Sequence, residues 1–425
     1  MKIVVLGAGI IGITTTYYLA KHGHKVIAID RQPKPAFETS YANGGQISAS
    51  HAWPWASPGV ARKVIASFSD PNAPFLFRPS LNLRQWIFGM AFLSNTSAVR
   101  FHHNTKSNVA LSVYSAKCLR ELLKSQVPRD SFSETGILTV FEDHDSLEDT
   151  YKINLTVNQA GGSLERISEE KCKSLEPALT RSNRLAGGIF AADDFHGNAF
   201  DFAQRLMREC RSMGVEFLMD TTIKGWNRKN FRAEAVQTSK GAFSADTFVV
   251  TAGATTASLM RQLGIGVPVY PTKGYSISIP ITDQNHHLMP SMSITHEQKR
   301  IVITPLEDAL RVAGIAELAD FNARTIDPRR INTIKLAVSS ILPGIIPDNA
   351  DLKPWVGLRP MTPDCLPIIG VSPCKNVYLN VGHGSFGWTQ ACGSGKLVSD
   401  LISGTTPDHD LKAFRLERFP AWSRI

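Results

Sequence analysis

The chain has 425 residues, 43% hydrophobic and 20% charged, a composition ordinary for a water-soluble globular protein and a length at which two domains are the default. Its formal net charge of +9 fits plain solubility or an anionic partner, but no zinc finger, helix-turn-helix or RNP-like motif accompanies it, which argues against nucleic acid. The best stretch for a membrane span, Trp86–Leu93, is far short of the ~20 apolar residues required. The six cysteines (Cys118, Cys172, Cys210, Cys365, Cys374, Cys392) form no C-x-x-C pair and no zinc spacing with histidine, so they read as reduced thiols without a metal.

Lys2–Leu6 is a short apolar run rich in β-branched residues and predicts a buried parallel strand. A signal peptide is the competing reading. It is set aside because glycines interrupt the apolar stretch, Lys21 and His22 follow in a polar helix, and no small-residue cleavage site appears. Gly7-Ala8-Gly9-Ile10-Ile11-Gly12 comes next, then a helix through Ala20 stopped by Gly23, then a second strand, Lys25–Ile29, with Asp30 at its end. This strand–turn–helix–strand order is a dinucleotide fingerprint. The first glycine permits the tight turn, the second lets the backbone approach a pyrophosphate, and the third lets helix and strand pack closely. Asp30 accepts from ribose hydroxyls. An acid there argues against a 2′-phosphate, a point weakened by the neighbouring Arg31. The motif alone does not separate NAD from FAD.

Residues 51–106 interleave aromatic groups (His51–Trp55, Phe75–Phe77, Gln85–Phe92) with Arg62, Lys63, Arg78, Arg84, Arg100 and Lys106. Such a surface either lies on an anionic membrane or forms a helical layer over the active site. Phe243–Gly253 predicts another nucleotide-domain strand ending in a glycine turn that carries Thr251, Ala252 and Gly253. Tyr275–Ile279 and Arg300–Thr304 alternate as half-exposed sheet strands do.

Four stretches carry a resemblance: Glu38-Thr-Ser-Tyr-Ala-Asn-Gly-Gly-Gln46, Trp355–Asp364, Pro367–Gly370 and Gly382-His-Gly-Ser-Phe-Gly-Trp388. Together they resemble the D-amino-acid dehydrogenase small subunit, within the D-amino-acid oxidase and glycine oxidase superfamily of flavoproteins. The resemblance implies an α/β FAD-binding Rossmann-like domain interleaved with a substrate domain on a large mixed or antiparallel sheet. Residues 1–90, 165–270 and 350–425 are expected in the first domain, and 91–164 and 271–349 in the second. It also implies oxidative deamination of small, D-alanine-like D-amino acids to 2-oxo acids and ammonia. Hydride passes from the α-carbon to flavin N5, and electrons go on to a quinone or another acceptor than oxygen. An oxygen-using FAD oxidase of glycine, sarcosine or D-proline-type amines is the alternative. A tRNA-modifying flavoprotein or a non-catalytic flavin subunit is more distant. The expected place is the cytoplasm, with possible peripheral attachment of residues 51–106 to the inner face of the membrane.

By the same resemblance Arg359, in Gly357-Leu-Arg-Pro360, clamps the substrate carboxylate. Ser40, Ala42, Asn43, Gly44, Gly45 and Gln46 form a second flavin segment, and Thr251–Gly253 flank the cofactor. Gly382, His383 and Gly384, with Gly387, Trp388 and Thr389 behind them, bring backbone N–H groups and a helix start to the ring. His383 is a candidate acid–base group. The Arg300–Thr304 strand lacks the tyrosine that the oxidases add to the clamp, which leaves Tyr275 as the nearest aromatic candidate. Sarcosine oxidase relatives tether flavin through cysteine, and Cys365 lies near a plausible place. The dehydrogenase resemblance implies FAD held without a covalent bond.

Overall fold

The computed structural model describes residues 1–66, 70, 73–125, 132–182, 184–318, 324–420 and 422. The side chain of Lys63 lies outside the described part. Ile3, Val4, Val5 and Leu6 are fully buried, as a strand covered on both faces must be. That strand, Lys2–Leu6, sits inside a six-stranded sheet with the order Glu216–Leu218, Lys25–Ile29, Lys2–Leu6, Thr247–Val250, Val377–Val381, Ile368–Val371. The first five strands run parallel and the last is antiparallel to its neighbour. Helices Ile10–Lys21, Ala98–Ser125, Ala199–Ser212 and Gly387–Ser403 share one apolar core over this sheet. Gly23, at φ +78°, follows the end of the first helix, where a left-handed residue closes the last turn.

The segment expected as one strand over 243–253 is split. Gly241–Ser244 joins a separate three-stranded sheet, while Thr247–Val250 enters the nucleotide sheet. Asp246 sits between them and accepts a hydrogen bond from the Lys2 N–H at 2.8 Å, so the chain changes sheets at a polar anchor.

The second sheet has nine strands. Its path runs Lys353–Met361, Tyr270–Pro280, Ala309–Leu318, Ile301–Pro305, Ser293–His296, Ile137–Phe141, Gly187–Ala191, Glu165–Ile167, with Phe75–Phe77 pairing to Ala316–Leu318. Most pairs are antiparallel. Tyr270–Pro280 is not half-exposed as its alternation suggests but almost wholly buried, and Ile301–Pro305 has no exposed residue, only Val302 and Pro305 being partly buried. Tyr275, Ile277 and Ile279 pack under helix Pro328–Ile341. On the other face Ser276 and Thr304 hydrogen-bond the backbone of residues 42–44. Three strands fall across the boundaries drawn at 165 and 350: Glu165–Ile167, Gly187–Ala191 and Lys353–Met361 all belong to the large sheet. Strand pairing between distant segments sets membership, and it leaves no mark on local composition.

The described residues between 51 and 93 pack beside the large sheet, with Ala56, Phe75, Phe77, Phe88 and Phe92 in one cluster with Tyr270 and Leu318. The inner face of helix Leu83–Leu93 presents Phe88, which stacks on Tyr270 at 5.2 Å between ring centroids. Among the described residues no helix is long and apolar enough to cross a membrane.

Candidate active site

A cavity of about 1380 Å³ runs between the two sheets. At one end is the Gly7–Gly12 turn. A Cβ on Gly12 would collide with the Gly7 carbonyl, and one on Gly7 would press on Thr251 O. A Cβ on Gly9 would meet only Ser40 Oγ, at 3.8 Å, so that peptide lies open to the cavity. The turn is held from below: Thr251 Oγ1 lies 2.7 Å from Gly7 O and 3.1 Å from Leu6 O, and Ile10 N donates to Ser40 Oγ at 3.2 Å. Asp30 accepts from the N–H groups of Ala8 (2.6 Å) and Gln32 (2.9 Å). Burial raises its pKa and those two bonds pull it back. A carboxylate has about four lone-pair sites, so acceptors remain for a ribose. Arg31 Nε is taken by Glu38 at 2.5 Å. Burial would raise the Glu38 carboxyl, but Arg31 and Gln32 hold it down at about 2. Arg31 Nε is thus committed to a protein carboxylate, which lessens its availability to a 2′-phosphate.

A second stretch of the wall comes from the C-terminal strand, loop and helix, which belong to the same sheet and helical layer as the turn. Gly382 (φ +78°) and Gly384 (φ +55°) flank His383, and helix Gly387–Ser403 starts beside them with no side chain capping its first turn. His383, Gly384, Gly387 and Trp388 line the cavity, as do Ile10, Ile11, Asn43, Gly44, Gly45, Gln46, Ala252 and Gly253. Ala8, Gly12, Gly382 and Thr389 do not. Ala8 serves Asp30, Gly12 serves packing, Gly382 serves the loop, and Thr389 Oγ1 accepts from Ser48 N at 3.2 Å. The His383 ring is buried with neither nitrogen bonded among the described residues. Burial pushes its pKa down to about 3, so it is neutral at physiological pH.

At the far end stands Arg359, on strand Lys353–Met361. Its guanidinium donates to Ile315 O at 3.2 Å and lies 5.6 Å from the Trp55 ring centroid. No carboxylate pairs with it among the described residues. Asp364, the nearest acid in sequence, is bound by Arg418 at 2.7 Å. Burial lowers the Arg359 pKa to about 10, still far above neutrality, so the cavity contains a permanent, uncompensated positive charge. Burying such a charge is costly unless something anionic joins it.

Tyr275 is not brought to that charge. It borders the cavity, but its hydroxyl donates to Glu317 at 3.1 Å inside the core beneath the sheet. Burial, then the Glu317 charge, raises its pKa. Side chains alternate across a strand, and Gly274 faces the cavity while Tyr275 faces the helix. The expected role for Tyr275 in the clamp is therefore withdrawn.

A family model described as "FAD dependent oxidoreductase" matches residues 2–401. The chain belongs to this FAD-dependent family. A protein named D-amino acid dehydrogenase from Granulibacter bethesdensis is 37% identical over 423 residues, covering 99% of this chain and 100% of that one. One of the same name from Vibrio vulnificus strain YJ016 is 38% identical over 405 residues, 95% of this chain and 96% of the other. The crystal structure of L-proline dehydrogenase from P. horikoshii superposes with a TM-score of 0.75 over 99% of this chain and 98% of that one, at 19% identity. That likeness speaks for the fold.

The residues present fit FAD. The open Gly9 peptide and the uncapped Gly387 helix start offer N–H groups, and the unbonded His383 ring and Arg359 line the same cavity. Cys365 is buried outside the cavity lining. Sequence reasoning missed Gly274 and Ile315. A Cβ on Gly274 would collide with the Arg359 guanidinium, so this glycine makes the room in which the arginine lies. Ile315 sits at a register shift opposite Gly274 and Tyr275 with φ +41°, a bulge that aims its carbonyl at Arg359. Gly274 was visible within Lys273-Gly-Tyr275; nothing local marks Ile315.

Proposed function

We propose that this FAD-dependent oxidoreductase deaminates small D-amino acids of the D-alanine kind. In the net reaction amino acid and water give 2-oxo acid and ammonium, with two electrons and their protons passing to an acceptor other than oxygen. The observation that carries the reading is Arg359: a partly buried, charged guanidinium facing a cavity, with no carboxylate to neutralise it among the described residues. A substrate carboxylate completes that charge pair, and a planar guanidinium can grip both oxygens. The two full-length relatives named D-amino acid dehydrogenase favour the D-amino acid over other carboxylates.

Bound FAD, held without a covalent bond, supplies the two-electron acceptor for the hydride leaving the α-carbon. Gly7–Gly12 and Asp30 would hold its nucleotide end, and residues 40–46, 251–253 and 383–388 would hold the ring end. Gly274 and Ile315 O fix the guanidinium, and the Trp55 face limits its movement, so the α-carbon is presented in one orientation. Neutral His383 adds no competing cation, which leaves Arg359 to orient the carboxylate. Tenfold or faster anaerobic bleaching of the bound flavin by D-alanine than by L-alanine is expected. No bleaching by any of a panel of D-amino acids would end this reading. Oxygen uptake with peroxide release, in place of dye or quinone reduction, would select the oxidase of glycine or D-proline-type amines.

The acceptor side has its own support. Leu83, Trp86, Met90 and Leu93 are 68%, 46%, 64% and 46% exposed. Their spacing puts them on one face of helix Leu83–Leu93, opposite buried Phe88. Residues 51–106 carry six Lys and Arg against one acid, Asp70. An apolar stripe in a basic segment suits the anionic inner face of a membrane, where a quinone acceptor resides. Cytoplasmic protein docked peripherally is the corresponding location. Flotation with anionic vesicles should be lost in a Leu83→Ser/Met90→Ser double variant; equal flotation with neutral vesicles would refute the charge argument.

A further inference from the structure

Residues 42–44 line the cavity on the side of the large sheet, and their three successive carbonyls are held from three different strands. Ser276 Oγ, on Tyr270–Pro280, donates to Ala42 O at 2.8 Å. Arg311 Nη1, on Ala309–Leu318, donates to Asn43 O at 3.1 Å. Thr304 Oγ1, on Ile301–Pro305, donates to Gly44 O at 2.6 Å. A hydroxyl has one proton, so Thr304, having given its own to Gly44, must accept from Ser293 Oγ at 2.7 Å. Ser293 in turn accepts from Gln46 Nε2 at 2.9 Å. The chain of bonds therefore leaves the segment at Gln46, crosses two sheet hydroxyls and returns at Gly44.

A trans peptide is planar, with its N–H opposed to its C=O. Pinning the carbonyls of Ala42 and Asn43 to the sheet turns the N–H groups of Asn43 and Gly44 away from it. Neither N–H has an acceptor among the described residues, whereas the next one, Gly45 N, is taken by Asn43 Oδ1 at 3.0 Å. Arg311 adds charge to this arrangement. It is mostly buried, also donates to Ser278 Oγ at 3.0 Å, and has no ion pair among the described residues. A guanidinium on the Asn43 carbonyl polarises the peptide whose N–H belongs to Gly44, which makes that N–H a stronger donor. A Cβ on Gly44 would press on the Val302 methyl at 2.5 Å, so the segment cannot be held this close to the sheet with any other residue there.

We infer that Ser276, Thr304 and Arg311 are positioning residues: they preset the Asn43 and Gly44 N–H groups as donors to the cofactor ring, so the substrate sheet tunes the flavin's reduction potential. Donors fixed before reaction favour the reduced, more negative ring over the oxidised one. The inference rests on FAD lying in this cavity, and it is independent of which amino acid is the substrate.

The test uses purified holoenzyme without substrate, titrated against a reference dye. Arg311→Gln is expected to lower the preference for reduced over oxidised flavin on the order of tenfold, about 30 mV for a two-electron couple. Thr304→Val should move the potential in the same direction by less, and Thr304→Ser should restore it. Melting temperature and FAD content report whether each variant is intact. If Arg311→Gln does not retain FAD, the Thr304→Val and Thr304→Ser pair alone decides. Unchanged potentials in FAD-loaded variants would overturn the inference, even if turnover fell. Shifted potentials in a protein that no D-amino acid reduces would leave it standing while the proposed substrate fell.

Discussion

At the Gly7–Gly12 end the cavity wall is backbone: glycines that admit no Cβ, N–H groups taken by Asp30, and a threonine hydroxyl against the Gly7 carbonyl. At the Arg359 end the wall is side chain: one guanidinium bound to a single carbonyl, a glycine that leaves it room, and an indole beside it. The first end is held in shape by bonds within the protein and offers open backbone donors; the second carries a charge with no counter-ion among the described residues and needs an anion. A dinucleotide is recognised along its length by many weak backbone donors. A small substrate has few atoms, so one strong charge must orient it. The two ends should therefore fail differently when disturbed.

The largest effect is expected in acid, and none of it arises at the glycine turn. Burial lowers His51, His196 and His296 to about 4 and His383 to about 3. In the unfolded chain these rings protonate from about pH 6.5 downward. The unfolded state then binds more protons, so stability falls as pH drops from about 6.5 toward 4, by ~1.4 kcal/mol per pH unit for each ring. Asp194, raised to about 7 by burial, has the opposite sign and offsets one of the four. Thermal melts from pH 7 to 4.5 check this, and a flat profile would contradict it. Next comes Arg359→Met, which should cost substrate binding and turnover roughly 3–5 kcal/mol while FAD content stays intact. If FAD is lost along with activity, the two ends are not separate.

Smaller effects sharpen the contrast. Gly12→Ala forces a Cβ into the Gly7 carbonyl and should destabilise the protein by ~1–3 kcal/mol. Gly9→Ala, with open space around its Cβ, should leave the melting temperature of FAD-free protein unchanged yet weaken FAD binding. Equal melting losses in both variants would undo the distinction. The smallest effect is predicted for Tyr275→Phe: about 1 kcal/mol of stability from the lost bond to Glu317, with kcat and KM unaltered. A large fall in kcat would return Tyr275 to the clamp.

The Rossmann-like turn was legible because its requirements are local. Glycines at 7, 9 and 12, a β-branched run before them and an acid at 30 act over thirty residues of continuous chain. Arg359 was legible through the stretch that surrounds it, and the structure gives it no ion pair among the described residues. Tyr275 misled because being the nearest aromatic candidate to a strand without a tyrosine says nothing about which face of its own strand the side chain takes. A register shift in the partner strand, at Ile315, lies forty residues away. The same holds for the strands at 165–167, 187–191 and 353–361, whose sheet is chosen by partners elsewhere in the chain.

The sequence by itself determined the Gly7–Gly12 turn, the family and the charge at position 359, since each is carried by short runs of adjacent residues. Tertiary structure alone decided that Arg359 has no counter-ion among the described residues, that Tyr275 faces the core, and that three sheet side chains hold residues 42–44. Burial and hydrogen bonding are properties of neighbours in space, and here those neighbours are separated by up to about 270 residues.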